Sequence, residues 1–193
     1  MIKAILWDWN GVLAQKDVPV ATEIVSKKYG YDPKEIRQAL LNDKESREIG
    51  PDSEGYFDKI KEFGISEEET REALAKAVPT EVFDFAKSLK GKGIKQYLLS
   101  DMMRFRTDYI KAHFDLSFFD KTFFSNEIGF VKPNKEAFEF FLKKMRVKPE
   151  ECVAIDDKDY NLEAARKLGF KTILFKDLES LKEDLEKFGV TSR

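Results

Sequence analysis

The residues able to do chemistry in this sequence stand where apolar runs end. Asp8 closes AILW, Ser100 and Asp101 close QYLL, and the pair Asp156 and Asp157 closes CVAI, while Lys132 occupies the turn GFVKPN. Adjacent carboxylates buried beside a third acid without a cation would have sharply raised pKa values, whereas a hard divalent ion accepts such a cluster and keeps several waters. Mg²⁺ is the economical occupant. Lys132, in a turn that Pro133 fixes, brings balancing positive charge. Taken singly, Ser100 or Ser125 reads equally well as an ordinary helix N-cap. Two places beyond Asp8, where a second acid could share its work, stands the amide Asn10.

Those residues need a scaffold that brings strand ends to one edge. Short apolar runs recur, AILWDWNG, QYLLSD, KTFFSN, CVAIDD and KTILFKD, each followed by a polar turn and a stretch of helical period. Such alternation predicts βαβ units around a parallel sheet, whose ligands gather outside the carboxyl ends of the strands. Helices are expected over Thr80 to Leu89, Lys135 to Met145 and Asn161 to Leu168, the last stopped by Gly169. Between the first and second strands lies far more chain than a crossover helix needs. Residues 17–79 carry helical patterns punctuated by YGYDP, EIGPDSEG and FGIS, with helix starts at Pro33 and at Ser66, whose SEEE run puts acids in a first turn. They predict a small all-α cap domain inserted after the first strand, into an α/β core of residues 1–16 and 80–193.

The chain of 193 residues has room for one domain with an insert or two small ones, and 42% hydrophobic residues, 17 of them Phe, suffice for a packed core. Lys and Arg number 34 against 36 Asp and Glu, interspersed, so neither nucleic acid nor a membrane surface is expected as a partner. The lone Cys152 heads an apolar run and reads as a small buried side chain in a reducing compartment. The lone His113, with no histidine to help it hold a metal, reads as a helix-end residue. The first apolar run is too short for a signal peptide and no stretch approaches a spanning helix, which predicts a cytoplasmic protein.

In order along the chain, DWNGVL, LLSD, GFVKP and IDDKDYNLEAARKLG resemble the four motifs of the haloacid dehalogenase superfamily, in the branch similar to phosphoglycolate phosphatases with a helical cap. The resemblance implies a Rossmann-like core with helices on both faces. It implies that Asp8 is the nucleophile forming an aspartyl-phosphate, that Ser100 binds a phosphate oxygen, and that Lys132 neutralises charge on both. Asp157 would ligate Mg²⁺ beside Asp8, with the main-chain carbonyl of Asn10 as a further ligand and Asp156 acting directly or through a water. Asn161 would support or cap. Asp101, among the phosphate-binding candidates, stands where an Asn is common; an acid there repels a phosphate unless it faces away or pairs with Lys132, which leaves its role open. Trp9 is a candidate substrate contact, with packing under the cap as the competing expectation.

Phosphatases of this family usually carry Asp where Asn10 stands, to protonate the leaving oxygen and then accept a proton from water. A primary amide does neither, and loss of such help costs on the order of 10² to 10⁴ in rate. Three readings follow. The first is a slow or specialised Mg²⁺-dependent phosphatase acting on a small phosphorylated metabolite, the second a phosphate-ligand binder, and the third a carbon–halogen hydrolase, against which the acid pair counts. Oligomeric state is not legible.

Overall fold

A computed structural model describes residues 1–41 and 55–190. From β1 (Ala4–Trp7) the chain runs through α1 (Asp17–Tyr29), α2 (Pro33–Leu41), α3 (Asp58–Lys61) and α4 (Glu67–Ala75), and then into α5 (Glu81–Ser88). There follow β2 (Lys95–Ser100), α6 (Arg104–His113), β3 (Lys121–Phe124), the single-turn α7 (Ser125–Ile128) and α8 (Lys135–Met145). The chain ends with β4 (Cys152–Asp156), α9 (Asp159–Lys167), β5 (Lys171–Leu174) and α10 (Leu178–Lys187).

All strand pairs are parallel, in the order β3-β2-β1-β4-β5. The central strand, β1, is paired on both edges and covered on both faces, which is why AILW is apolar without alternation. Successive side chains still sort to opposite faces. Ile5 and Trp7 join Leu98, Ile155 and Ile173 under α5, α6 and α10, whereas Ala4 and Leu6 join Tyr97, Leu99 and Ala154 under α8 and α9. The apolar stripe of α8, with Ala137, Phe138 and Phe141 buried, anchors the second face, and α10 anchors the first through Leu181 and Leu185. Each such side chain, fully buried, contributes about 1.5–3 kcal/mol.

Helices α1 to α4 build a separate apolar cluster from Val18, Ala21, Val25, Ile36, Leu40, Phe57, Ile60 and Leu74. Local sequence explains their starts. Pro33 opens α2, and at α4 the Ser66 hydroxyl accepts from the Glu69 N–H while the Glu69 carboxylate accepts from the Ser66 N–H, a reciprocal cap worth about 1 kcal/mol. Most of the expected turn EIGPDSEG, residues 48–54, lies outside the described residues. Entry and exit of this helical insert run side by side, with Gln15 N–H donating to Val78 O (3.0 Å) and Thr80 N–H to Leu13 O (2.9 Å). Met103 and Phe105 pack against its cluster from the core side.

Cys152 is fully buried and its thiol is pushed up to about 12, chiefly by burial, as expected of an inert core residue. His113 is the last residue of α6, its Nδ1 lying 2.8 Å from Tyr109 O. No helix among the described residues is long and apolar enough to cross a membrane.

Candidate active site

Strand register assembles the site. Trp7 pairs with Ile155 on one side and Leu98 on the other, so Asp8, just past β1, and Asp156 and Ser100, the last residues of β4 and β2, emerge together at the carboxyl edge. Lys132 reaches them from the turn before α8. Its Nζ lies 2.8 Å from Asp8 Oδ1 and 2.7 Å from Asp156 Oδ2, with all three side chains buried. Burial pushes the Asp8 carboxyl up to about 7, with Asp156 adding to the rise and Lys132 opposing it. Burial alone would lower the Lys132 ammonium, but Asp8, Asp156 and Asp101 outweigh it and hold the group above its usual range.

Asp156 is fully engaged. Oδ1 accepts from Lys158 N–H (2.9 Å) and Asn161 Nδ2 (3.1 Å), and Oδ2 accepts from Asn161 Nδ2 (2.9 Å) as well as Lys132. Asn161 is therefore no helix cap. It is buried within α9 and clamps Asp156, which in turn holds Lys132. Asp157 is freer, since neither of its oxygens has a hydrogen-bond partner among the described residues, although Lys16 Nζ stands 2.5 Å from Oδ2 as an ion pair. Gly11 allows this crowding. At φ +84° its missing Cβ would sit 2.7 Å from Asp157 Oδ2 and 2.6 Å from Lys16 Cε.

One oxygen from each of Asp8, Asp156 and Asp157 lies within 4.8 Å of the others. Three carboxylates at that spacing, one of them raised to about 7 chiefly by burial, are the donor set a hard divalent cation takes. Ser100 adds a second signal. It is 1% exposed and its hydroxyl has no hydrogen-bond partner among the described residues, a placement that costs about 1–3 kcal/mol unless a ligand uses the group.

The structure places the other candidates as follows. Trp9 is 0% exposed, packed edge-on against Phe83 (5.8 Å between centroids) and against Phe114 (5.7 Å) in the core cluster. Asp101 is engaged with the Lys132 turn. Its Oδ1 accepts from the Lys132 main-chain N–H (3.0 Å), so it braces the turn that presents the lysine, and burial raises its own carboxyl. Ser125, for which a helix cap was the alternative, instead accepts at Oγ from Met102 N–H (2.9 Å), and Asn126 donates to Met102 O (2.7 Å); the two fasten the loop that follows Ser100. Asn10 donates from Nδ2 to Asp17 Oδ2 (3.3 Å). Asp17, Lys16 and the buried Arg106 beside it were not anticipated. The available signal was an arginine close behind Met102, Met103 and Phe105 at the start of α6.

A parallel sheet with acids converging at one edge, a buried lysine between them and a helical insert after the first strand defines a class of hydrolase. The family model of the haloacid dehalogenase-like hydrolases matches residues 2–169, and the chain belongs to that family. It is 25% identical over 199 residues to D-ribitol-5-phosphate phosphatase of Bacteroides thetaiotaomicron, covering 89% of this chain and 91% of that one. It is also similar to bifunctional epoxide hydrolase 2 of Rattus norvegicus, 30% identical over 135 residues, and to drimenol cyclase of Aspergillus calidoustus, 26% identical over 195 residues. The match spans only 24% and 36% of those longer proteins. Among solved structures, a haloacid dehalogenase family enzyme of B. thetaiotaomicron, a mutant in complex with magnesium and inorganic phosphate, superposes with a TM-score of 0.73 at 26% identity, covering 94% of this chain and 99% of that one.

Proposed function

We infer that the protein is a Mg²⁺-dependent phosphatase that hydrolyses a small phosphorylated metabolite through an aspartyl-phosphate at Asp8. The observation that carries this reading is the buried Asp8–Lys132–Asp156 triad beside Asp157, whose oxygens make no hydrogen bond among the described residues and whose only ion-pair partner there is Lys16. Similarity to a phosphatase acting on a sugar-alcohol phosphate supports the substrate class. Asp8 Oδ1 is fixed by Lys132 and attacks phosphorus. The Lys132 ammonium, held by Asp156 and Asn161, neutralises charge on the nucleophile and the transferred group. The Ser100 hydroxyl donates to a phosphoryl oxygen. Asp8, Asp157 and the main-chain carbonyl of Asn10 would hold Mg²⁺, with Asp156 at one remove, and the ion would supply charge neutralisation and orientation of the phosphate. Residues 17–79 act as a cap.

Asn10 limits the chemistry to what needs no proton from this position. Hydrolysis of an aryl and an alkyl phosphomonoester, each with Mg²⁺ and with chelator, tests the reading. Turnover should vanish in chelator and return with Mg²⁺, and the aryl ester should react on the order of 10² or more faster, the factor that general acid help is worth. Full activity in chelator overturns the metal-dependent mechanism. Equal rates on both esters overturn the account of Asn10.

A further inference from the structure

Asn10 is not simply an acid with its function removed; its surroundings hold it in one orientation. A carboxylate only accepts hydrogen bonds, so the contact with Asp17 Oδ2 obliges the amide to turn its NH₂ that way. The carbonyl Oδ1 is left on the other limb of the amide, buried and without a partner among the described residues. Asp17 is itself held on both oxygens. Oδ1 accepts from the Val18 N–H at 2.8 Å, and Oδ2 lies 3.8 Å from Arg106 Nε. Arg106 is 0% exposed, its nitrogens make no hydrogen bonds among the described residues, and its guanidinium stands 5.8 Å from the centre of the Tyr109 ring. A guanidinium keeps its charge when buried, and the nearby anion it needs is Asp17. Three separate parts of the chain meet here: the turn after β1, the first residue of α1, and the first turns of α6.

We propose that Asp17 is the positioning residue for Asn10, locking its amide so that Oδ1 is a fixed acceptor for the water that hydrolyses the aspartyl-phosphate, with Arg106 locking Asp17. The inference rests on the phosphatase reading. In that step the water oxygen forms a bond to phosphorus, the bond between phosphorus and Asp8 breaks with its electron pair returning to the carboxylate, and both water protons leave with the product as dihydrogen phosphate. No proton stays on Asn10. The amide thus retains one part of what a carboxylate does at this position, the orientation of water, without the other part, which is proton transfer.

The test compares the full chain with Asp17→Asn, Asn10→Asp and the double variant, using Mg²⁺ and p-nitrophenyl phosphate. Asp17→Asn is nearly isosteric, but an amide at position 17 offers both a donor and an acceptor and so permits either orientation of Asn10. Turnover kcat should fall roughly tenfold, within the ~10² that a misplaced group can cost, with KM within about twofold. With Asn10→Asp as background the sign reverses. Two carboxylates then face each other, Asp17→Asn restores a donor opposite an acceptor in the swapped sense, and the double variant turns over faster than Asn10→Asp alone. An Asp17 that serves only as a first-turn acid of α1 lowers both backgrounds alike, and that result overturns the proposal. Absence of Mg²⁺-dependent turnover in the unmodified chain instead defeats the phosphatase reading. Thermal unfolding of the same four proteins at pH 8 then decides the lock: Asn10→Asp and Asp17→Asn should each lower Tm, the second because Arg106 loses its anion, and the double variant should lose less than the two single losses together, while additive shifts overturn the contact.

Discussion

Replacing Lys132 with Met removes the one ammonium that stands between Asp8 and Asp156, at 2.8 and 2.7 Å, and leaves both carboxylates buried. The thioether is close in length and adds no charge, so packing changes little. Breaking a buried ion pair by deleting one partner costs about 3–5 kcal/mol. At roughly 2–4 °C per kcal/mol for a chain of this size, Tm should fall by about 6–20 °C near pH 8. The pH dependence follows from the direction of the Asp8 shift. Its carboxyl is raised to about 7 in the folded protein, so the unfolded state gives up its proton first, and folding weakens as pH rises from about 4 toward 7. Without Lys132, which opposes the rise, the folded Asp8 carboxyl goes higher still, which extends the loss to higher pH. The deficit of Lys132→Met against the unmodified protein should therefore be small near pH 5 and grow toward pH 8. Scanning calorimetry of metal-free protein across that range measures it. An unchanged Tm at pH 8, or a deficit independent of pH, would refute the reasoning that Lys132 is the charge balance of the site.

Two further outcomes rest on other parts of the molecule. Ser100→Ala should leave Tm unchanged or slightly higher, because the buried hydroxyl has no partner to lose, yet lower kcat/KM by about 10- to 100-fold if that hydroxyl binds a charged phosphoryl oxygen; a Tm loss of several degrees with kcat/KM intact would show a structural serine instead. In the insert, hydrogen bonds from Lys28, Tyr29 and Ser66 depress the Glu69 carboxyl to about 2, so its contribution to folding is present above about 4.5 and fades as pH falls toward 2. Glu69→Gln should accordingly lower Tm at pH 6 and converge on the unmodified protein as pH drops from 5 to 3, read by circular dichroism melts.

The sequence by itself determined the elements and the chemistry at their ends. Short apolar runs such as AILW and CVAI, each followed by a polar turn and a helical stretch, read as strands buried on both faces, and a parallel sheet sends the residues at their ends to one edge, so Asp8, Ser100, Asp156 and Asp157 were legible as one site. Ser66 and Pro33 marked helix starts for equally local reasons. What each polar group touches was decided only by the tertiary structure. Trp9 follows a site residue in sequence, but the turn after β1 packs it among Phe83 and Phe114. Asp101 turns to a main-chain N–H thirty-one positions away, Asn161 to both oxygens of Asp156, and Asn10 to an acid on the first helix of the insert. Periodicity and propensity describe neighbours along the chain. The pKa of Asp8, the charge on Lys132 and the orientation of Asn10 are set instead by desolvation and by partners brought close through packing, and those come into being only when the sheet, its helices and the insert are assembled.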